Sequence, residues 1–282
     1  MTLDKYWCSL WSDIFDIIRQ REYAWIYPPC LLGGLPLYAK RPYTITNDWA
    51  QEARINIIVG HYGCGKTEFA VNLALALSES GKKTALADLD VVSPYFRSRD
   101  QAALLLHSGI KLIASSQRCS DADVPAMPVE LNSLIQDKTF TGILDIGGDA
   151  VGARVLARLK PQLSVQSCNV LFVLNANRPL VSTPEKAIQY LRHIECTIGM
   201  PITGIVNNTH LCRYTAVADI KKGADLAIQV SLITGIKFVC HVVESSMLSQ
   251  CEELPSPIFP IVLHMKKPWE MESIHCGKEV RI

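Results

Sequence analysis

Residues 55–59 read Ile-Asn-Ile-Ile-Val, a short run rich in β-branched side chains, and the next eight read Gly-His-Tyr-Gly-Cys-Gly-Lys-Thr, ending at Thr67. The octet fits the pattern G-x-x-x-x-G-K-[ST], and the segment after it carries Phe69, Leu73, Ala76 and Leu77 at helical spacing. Strand, glycine-rich turn and helix in that order constrain the fold more than any other stretch of the chain. Glycines let successive backbone N–H groups converge on a phosphate, and the helix adds the positive end of its dipole. Lys66 is expected to reach the β- and γ-phosphates of a nucleotide, where it also serves catalysis, and the Thr67 hydroxyl to ligate Mg²⁺. Gly60, Tyr62, Gly63, Cys64, Gly65 and Glu68 complete the nucleotide-binding set expected from this stretch.

From Ile55 onward, strand-like runs alternate with helical ones. The strands are expected at Ile55–Val59, Thr84–Asp88, Ile110–Ala114, Gly142–Ile146, Asn169–Leu174, Ile202–Val206 and Ile236–Cys240, the helices near 66–80, 127–137, 151–159, 184–196 and 216–233. Such alternation predicts an α/β fold: a doubly wound, mainly parallel sheet between two helical layers, with ligands at the carboxyl ends of the strands. Residues 54–265 are read as this domain, 1–53 as a partly helical extension and 266–282 as a tail. Within the extension Leu10, Trp11, Ile14, Phe15 and Ile18 share one helical face. That face has three readings: it docks on the main domain, it meets a partner or a membrane surface, or it reflects a misplaced start.

Composition narrows the function classes. A net charge of +1 gives no general attraction to nucleic acid or anionic lipid. No window reaches the ~18 to 20 apolar residues of a membrane span, and no basic region followed by an apolar core opens the chain, so a cytoplasmic protein without a membrane span is expected. The ten cysteines include no C-x-x-C pair, which argues against a structural metal or iron–sulfur site. They are expected to be free thiols, with Cys64 the reactive one, its pKa lowered by the helix N-terminus beside it.

Two strand ends carry acids. In Asp88-Leu-Asp90 the carboxylates lie two apart, so both point the same way from an extended segment. Asp88 is assigned to the metal shell and Asp90 to orienting an attacking water. Gly142-Ile-Leu-Asp145-Ile-Gly-Gly148-Asp149 repeats the arrangement: Asp145 is expected to hold Mg²⁺ through water, the peptide of Gly147 and Gly148 to follow the γ-phosphate, and Asp149 to cap the next helix. Arg97 and Arg99 read as solvated loop charges.

Taken together, these motifs resemble those of the ParA/MinD/CobQ-type ATPases, the deviant Walker A class of P-loop proteins, over roughly residues 54–265. Gly60–Thr67 corresponds to their phosphate loop, Asp88-Leu-Asp90 to their acidic motif and Asp145-Ile-Gly-Gly148 to their second switch. In Ile205-Val-Asn207-Asn208, Asn207 resembles the asparagine that reads adenine, while Asn208 satisfies local backbone. The phrases at 90–99 and 204–210 look like those of a bacterial branch described as ATP-binding proteins. His61 stands where deviant members carry a lysine that reaches across a dimer, and Glu68 replaces a hydroxyl residue.

The resemblance implies a Mg·ATP-binding switch ATPase coupled to an unidentified protein partner, with a homodimer as a further association and slow or partner-dependent hydrolysis. Its alternatives are an ATP-dependent ligase or kinase of the dethiobiotin synthetase or cobyrinate amidase type, and a nonhydrolysing nucleotide-binding module. ATP is preferred to GTP because neither Asn175-Ala-Asn-Arg178 nor Asn207-Asn-Thr-His210 supplies the N/T-K-x-D sequence of guanine-specific relatives.

Overall fold

All five residues of β1 (Ile55–Val59) are buried, as are all six of β2 (Thr84–Leu89). Strands covered on both faces need no alternation of apolar and polar side chains, so they read in sequence as nearly continuous apolar runs. The computed structural model describes residues 49–90, 97–114, 129–148, 150–164, 166–251, 253–254 and 257–265. It joins β1 and β2 to β3 (Lys111–Ala114), β4 (Thr141–Ile146), β5 (Cys168–Leu174), β6 (Gly204–Asn207), β7 (Lys237–Glu244) and β8 (Ile258–Ile261). The strand order is β3-β2-β4-β1-β5-β6-β7-β8. Every ladder is parallel, so the sheet expected to be mainly parallel is parallel throughout.

Parallel neighbours need crossover connections, and helices supply them on both sides of the sheet. After α1 (Trp49–Glu52), which precedes β1, these are α2 (Lys66–Glu79), α3 (Ala102–His107), α4 (Val129–Gln136), α5 (Ala150–Leu163), α6 (Pro184–Ile198) and α7 (Val217–Thr234). Every residue of α2 from Phe69 to Leu77 is buried, as a helix apolar almost all round must be. The polar exception, Asn72, gives its amide to the Val262 carbonyl at 3.0 Å and accepts the Val262 N–H at 2.9 Å. Arg54, just before β1, caps α4: its guanidinium takes the carbonyls of Leu134 and Ile135, which the helix leaves without intrahelical donors.

Several elements depart from expectation, among them α1, which the helical pattern did not single out, and β6, which starts at Gly204 rather than Ile202. β8 was not foreseen because its four residues include Pro260; as the terminal strand of the sheet it tolerates a residue without an N–H. β7 runs on to Glu244 through His241, whose polar side chain interrupts the apolar run. α3, six residues long, is too short to show a helical period. α5 passes the expected end at 159 and stops two residues after Pro161, which lacks the N–H for the Ala157 carbonyl.

The chain divides into Met1–Lys40 and Arg41–Ile282. The first unit, the helix expected over 10–18, Asp149 and the tail at 266–282 lie outside the described residues. Among the described residues no helix is long and apolar enough to cross a membrane.

Candidate nucleotide-binding site

Between the end of β1 and the start of α2, residues 60–65 turn over the carboxyl edge of the sheet. Gly60 has φ +149° and a Cβ there would lie 2.4 Å from the Val173 carbonyl oxygen of β5; at Gly65, with φ +76°, it would lie 2.4 Å from Asn208 Nδ2. Glycine is therefore required by both conformation and space. The first rung of α2 is the bond from Phe69 N–H to the Gly65 carbonyl at 3.0 Å. The N–H groups of Lys66, Thr67 and Glu68 precede that rung, and no side chain caps them. They form a ready anion cradle at a helix N-terminus. Lys66, only 6% exposed, folds back across the turn and donates from Nζ to the His61 carbonyl at 3.2 Å.

Behind the cradle lie the acids. The Thr67 side chain lies beside the buried Asp145 carboxyl and helps hold its pKa down, and Ser98 donates to Asp145 Oδ2 at 2.8 Å. The other oxygen, Oδ1, is buried with no partner among the described residues. Burial first, and then the charge of Asp88, pushes the Asp145 carboxyl up to about 7, against the pull of Lys66, Ser98 and Thr67. A buried carboxylate oxygen without a donor, next to a threonine hydroxyl, fits a hydrated divalent cation, which would satisfy the oxygen and offset the clustered charge.

Asp88 is differently placed. Its Oδ2 pairs with Arg99 Nε at 2.9 Å and accepts the Arg99 N–H at 3.3 Å, while Oδ1 accepts the Asp90 N–H at 3.2 Å. Arg99 is thus no solvated loop charge, as the sequence had suggested: its side chain is 17% exposed and neutralises a fully buried acid. Asp90 is itself buried.

Gly148 closes the other side. A Cβ there would come within 2.7 Å of Tyr62 N and 2.9 Å of Lys66 Nζ. Its carbonyl accepts the Tyr190 hydroxyl of α6 at 3.0 Å, and the Tyr190 ring meets His61 edge-on at 5.1 Å.

A cavity of about 420 Å³ opens on this edge, lined by Tyr62, Gly63, Gly65, Lys66, Thr67, Glu68 and Asp90 together with Arg178, Asn208, Thr209, His210, Met247, Leu263 and Met265. Its size suits a small organic ligand. Most of the expected loop residues therefore share one wall, whereas three side chains behave otherwise than expected. Cys64 is fully buried, and burial raises its thiol pKa despite the charges of Lys66 and Arg178, so the expected reactive thiolate is corrected to a buried thiol. Glu68 faces the chain beyond β8, accepting the N–H groups of His264 at 2.8 Å and Met265 at 3.0 Å. Asn207 corrects a third expectation. Its amide nitrogen serves the Ile220 carbonyl and His241 Nδ1, and its oxygen accepts both the N–H and the hydroxyl of Thr209. With all four hydrogen-bonding positions used and no exposure, Asn207 has nothing to offer a base.

The neighbouring Asn208 does touch the site, donating from Nδ2 to the Cys64 carbonyl at 2.9 Å. His210 accepts the Cys212 N–H at Nδ1. Burial, followed by the charge of Arg178, lowers the His210 pKa to about 4 and keeps the ring neutral. Ser98, Arg178 and Tyr190 were not singled out in the sequence; Ser98 and Arg178 stood there only within the phrase at 90–99 and at the end of Asn175-Ala-Asn-Arg178.

A family model described as the CobQ/CobB/MinD/ParA nucleotide binding domain matches residues 55–216, more than half of the 282-residue chain. The chain belongs to this family. No curated protein matches it. Among solved structures, this CobQ/CobB/MinD/ParA domain is similar to the cell division protein FtsY from Thermotoga maritima, with 22% identity over 67% of this chain and 61% of that one and a TM-score of 0.46. The signal recognition particle 54 kDa protein from Aeropyrum pernix K1, in complex with GDP, gives 21% identity over 66% and 40%, with a TM-score of 0.43. A nucleotide-binding protein from Archaeoglobus fulgidus, in complex with ADP, gives 15% over 73% and 93%, with a TM-score of 0.42. The chain spans less than two thirds of the first two of these.

Proposed function

We propose that this nucleotide-binding domain takes up Mg·ATP in the cavity beside Gly60–Thr67 and acts as a slow switch ATPase that couples nucleotide state to a protein partner. The observation that carries the reading is the junction of the uncapped α2 N-terminus with Thr67 and the partly unsatisfied Asp145. The backbone N–H groups at the start of α2 bind phosphate oxygens, and Lys66 exchanges the His61 carbonyl for the β- and γ-phosphates. Thr67 and Asp145 would hold Mg²⁺, which supplies neutralising charge between phosphoryl oxygens. Asp88, with its oxygens engaged by Arg99 and the Asp90 N–H, leaves the metal shell expected of it and tunes this acid cluster from behind, and Asp90, at the cavity wall, orients the attacking water and accepts its proton. Gly148, packed against Tyr62 and Lys66, is the backbone that senses the γ-phosphate. The choice of ATP over GTP rests on Asn207-Asn-Thr-His210, where a neutral histidine stands in place of a base-reading carboxylate.

Calorimetry with ATP, GTP and ADP, with and without Mg²⁺, tests the reading. ATP is expected to bind, Lys66→Ala to abolish that heat, and Asp90→Ala to keep binding while losing phosphate release. Absence of heat from any purine nucleotide with folded wild-type protein overturns it. Phosphate release stimulated by a protein fraction supports the switch; stimulation by small metabolites alone supports a ligase or kinase instead.

A further inference from the structure

Gly63, with φ +71°, carries a guanidinium on its bare Cα face. A Cβ there would lie 2.9 Å from Arg178 Cζ, 3.0 Å from Nη2 and 3.1 Å from Nε. The near-equal distances place the flat of the Arg178 side chain over that glycine. Nε donates to the Gly63 carbonyl at 2.7 Å. Four of the five guanidinium N–H donors remain, and no carboxylate pairs with the group among the described residues.

The arginine is also rigidly presented. Its backbone N–H bonds the Asn175 carbonyl at 3.0 Å, its carbonyl accepts the Val181 N–H at 3.0 Å, and Pro179 opens the intervening 3₁₀ turn. Asn175 in turn reaches the His210 carbonyl. Arg178 and Lys66 both line the cavity, and both charges act on the buried Cys64 thiol. Two cations that line one cavity, each hydrogen-bonded to a loop carbonyl, would both be stabilised further by an anion entering it.

We propose that Arg178 grips the phosphate chain of the bound nucleotide from within the same chain, as a second cation beside Lys66. The proposal rests on the nucleotide reading above and adds to it a residue outside the phosphate-loop motif. It also puts a fixed cation at the phosphates in a loop whose second residue is His61 rather than a lysine. A planar guanidinium with several donors matches phosphate oxygens better than a point charge does.

The test is titration of wild type, Arg178→Gln, Arg178→Lys and Lys66→Ala with ATP, ADP, AMP and adenosine in Mg²⁺ buffer at low and high salt. Arg178→Gln keeps a donor for the Gly63 carbonyl but removes the charge. It is expected to weaken ATP and ADP by about 10- to 100-fold, AMP less and adenosine not at all, and to flatten the salt dependence of ATP binding. Arg178→Lys should fall between wild type and Arg178→Gln. Mixing Arg178→Gln with Lys66→Ala should restore nothing if the arginine acts within its own chain. Wild-type ATP affinity and salt dependence in Arg178→Gln, equal losses in the Lys and Gln variants, or rescue on mixing would each overturn the proposal. Wild type that binds no nucleotide defeats the parent reading instead, so the two failures are distinct.

Discussion

Asn208, the first residue past β6, holds the phosphate loop by its side-chain amide, with Nδ2 at 2.9 Å from the Cys64 carbonyl and 3.3 Å from the Gly65 carbonyl. Asn208→Ala leaves both carbonyls without that donor and frees the loop on one side. It is expected to cost about 1–2 kcal/mol in urea unfolding and to weaken ATP by about tenfold in calorimetry. Unchanged affinity would show that the loop keeps its shape without this strut.

Asn207→Ala should behave in the opposite way. It strips partners from His241 and Thr209 inside the fold, so a loss of about 2–3 kcal/mol is expected. The ratio of ATP to GTP affinity, measured on whatever protein folds, should stay within about twofold of wild type, since the residue never reaches the cavity. A changed ratio would return Asn207 to the base site.

The pair of Asp88 and Arg99 yields a cycle. Arg99→Leu strands a buried carboxylate and is expected to cost about 3 kcal/mol, whereas adding Asp88→Asn should recover part of that loss because the remaining group no longer carries charge. Additive losses in denaturant midpoints would mean that the two side chains do not act as a pair.

Acid stability without metal should show two opposed titrations. His210 drops from an ordinary 6.5 to about 4 in the fold, so the unfolded chain binds its proton first; the contribution of His210 is complete above pH 6.5 and lost as pH falls towards 4. Asp145 rises from 3.8 to about 7, so the fold binds its proton first and gains stability over the same descent. Each shift corresponds to about 3–4 kcal/mol at most, and wild type shows their difference. His210→Asn should therefore become relatively more stable towards acid and Asp145→Asn relatively less, as read from urea midpoints in chelator across that window. Parallel curves for the two variants would contradict the assignment.

The parts of the molecule that were legible in sequence are those encoded over short distances. Gly60–Thr67 between a β-branched run and a helical period announces itself, and so does Asp145 before two glycines. The two neighbouring asparagines show where that legibility ends. Successive strand residues face opposite sides, so placing Asn207 or Asn208 at the site turns on one residue of register, which pattern alone leaves open. Arg178 meets Gly63 across 115 residues and Ser98 meets Asp145 across 47, contacts made only when β5 and β4 take their places beside β1 and β2. Cys64 illustrates the same limit on a smaller scale: membership in the loop fixes where its backbone runs, while packing decides that its thiol turns inward.

Glu68 brings a negative group to the turn of helix that would meet polyphosphate, an arrangement that Coulomb's law alone disfavours. Two amides from residues 264 and 265 accept the task of dispersing that charge, and Asn72 one turn later fastens residue 262. The far end of the domain thereby works as a counterweight to its first loop: if the stretch after β8 were pulled away, the carboxylate would be laid bare beside the ligand, and mechanical detachment at one place would become eviction at another.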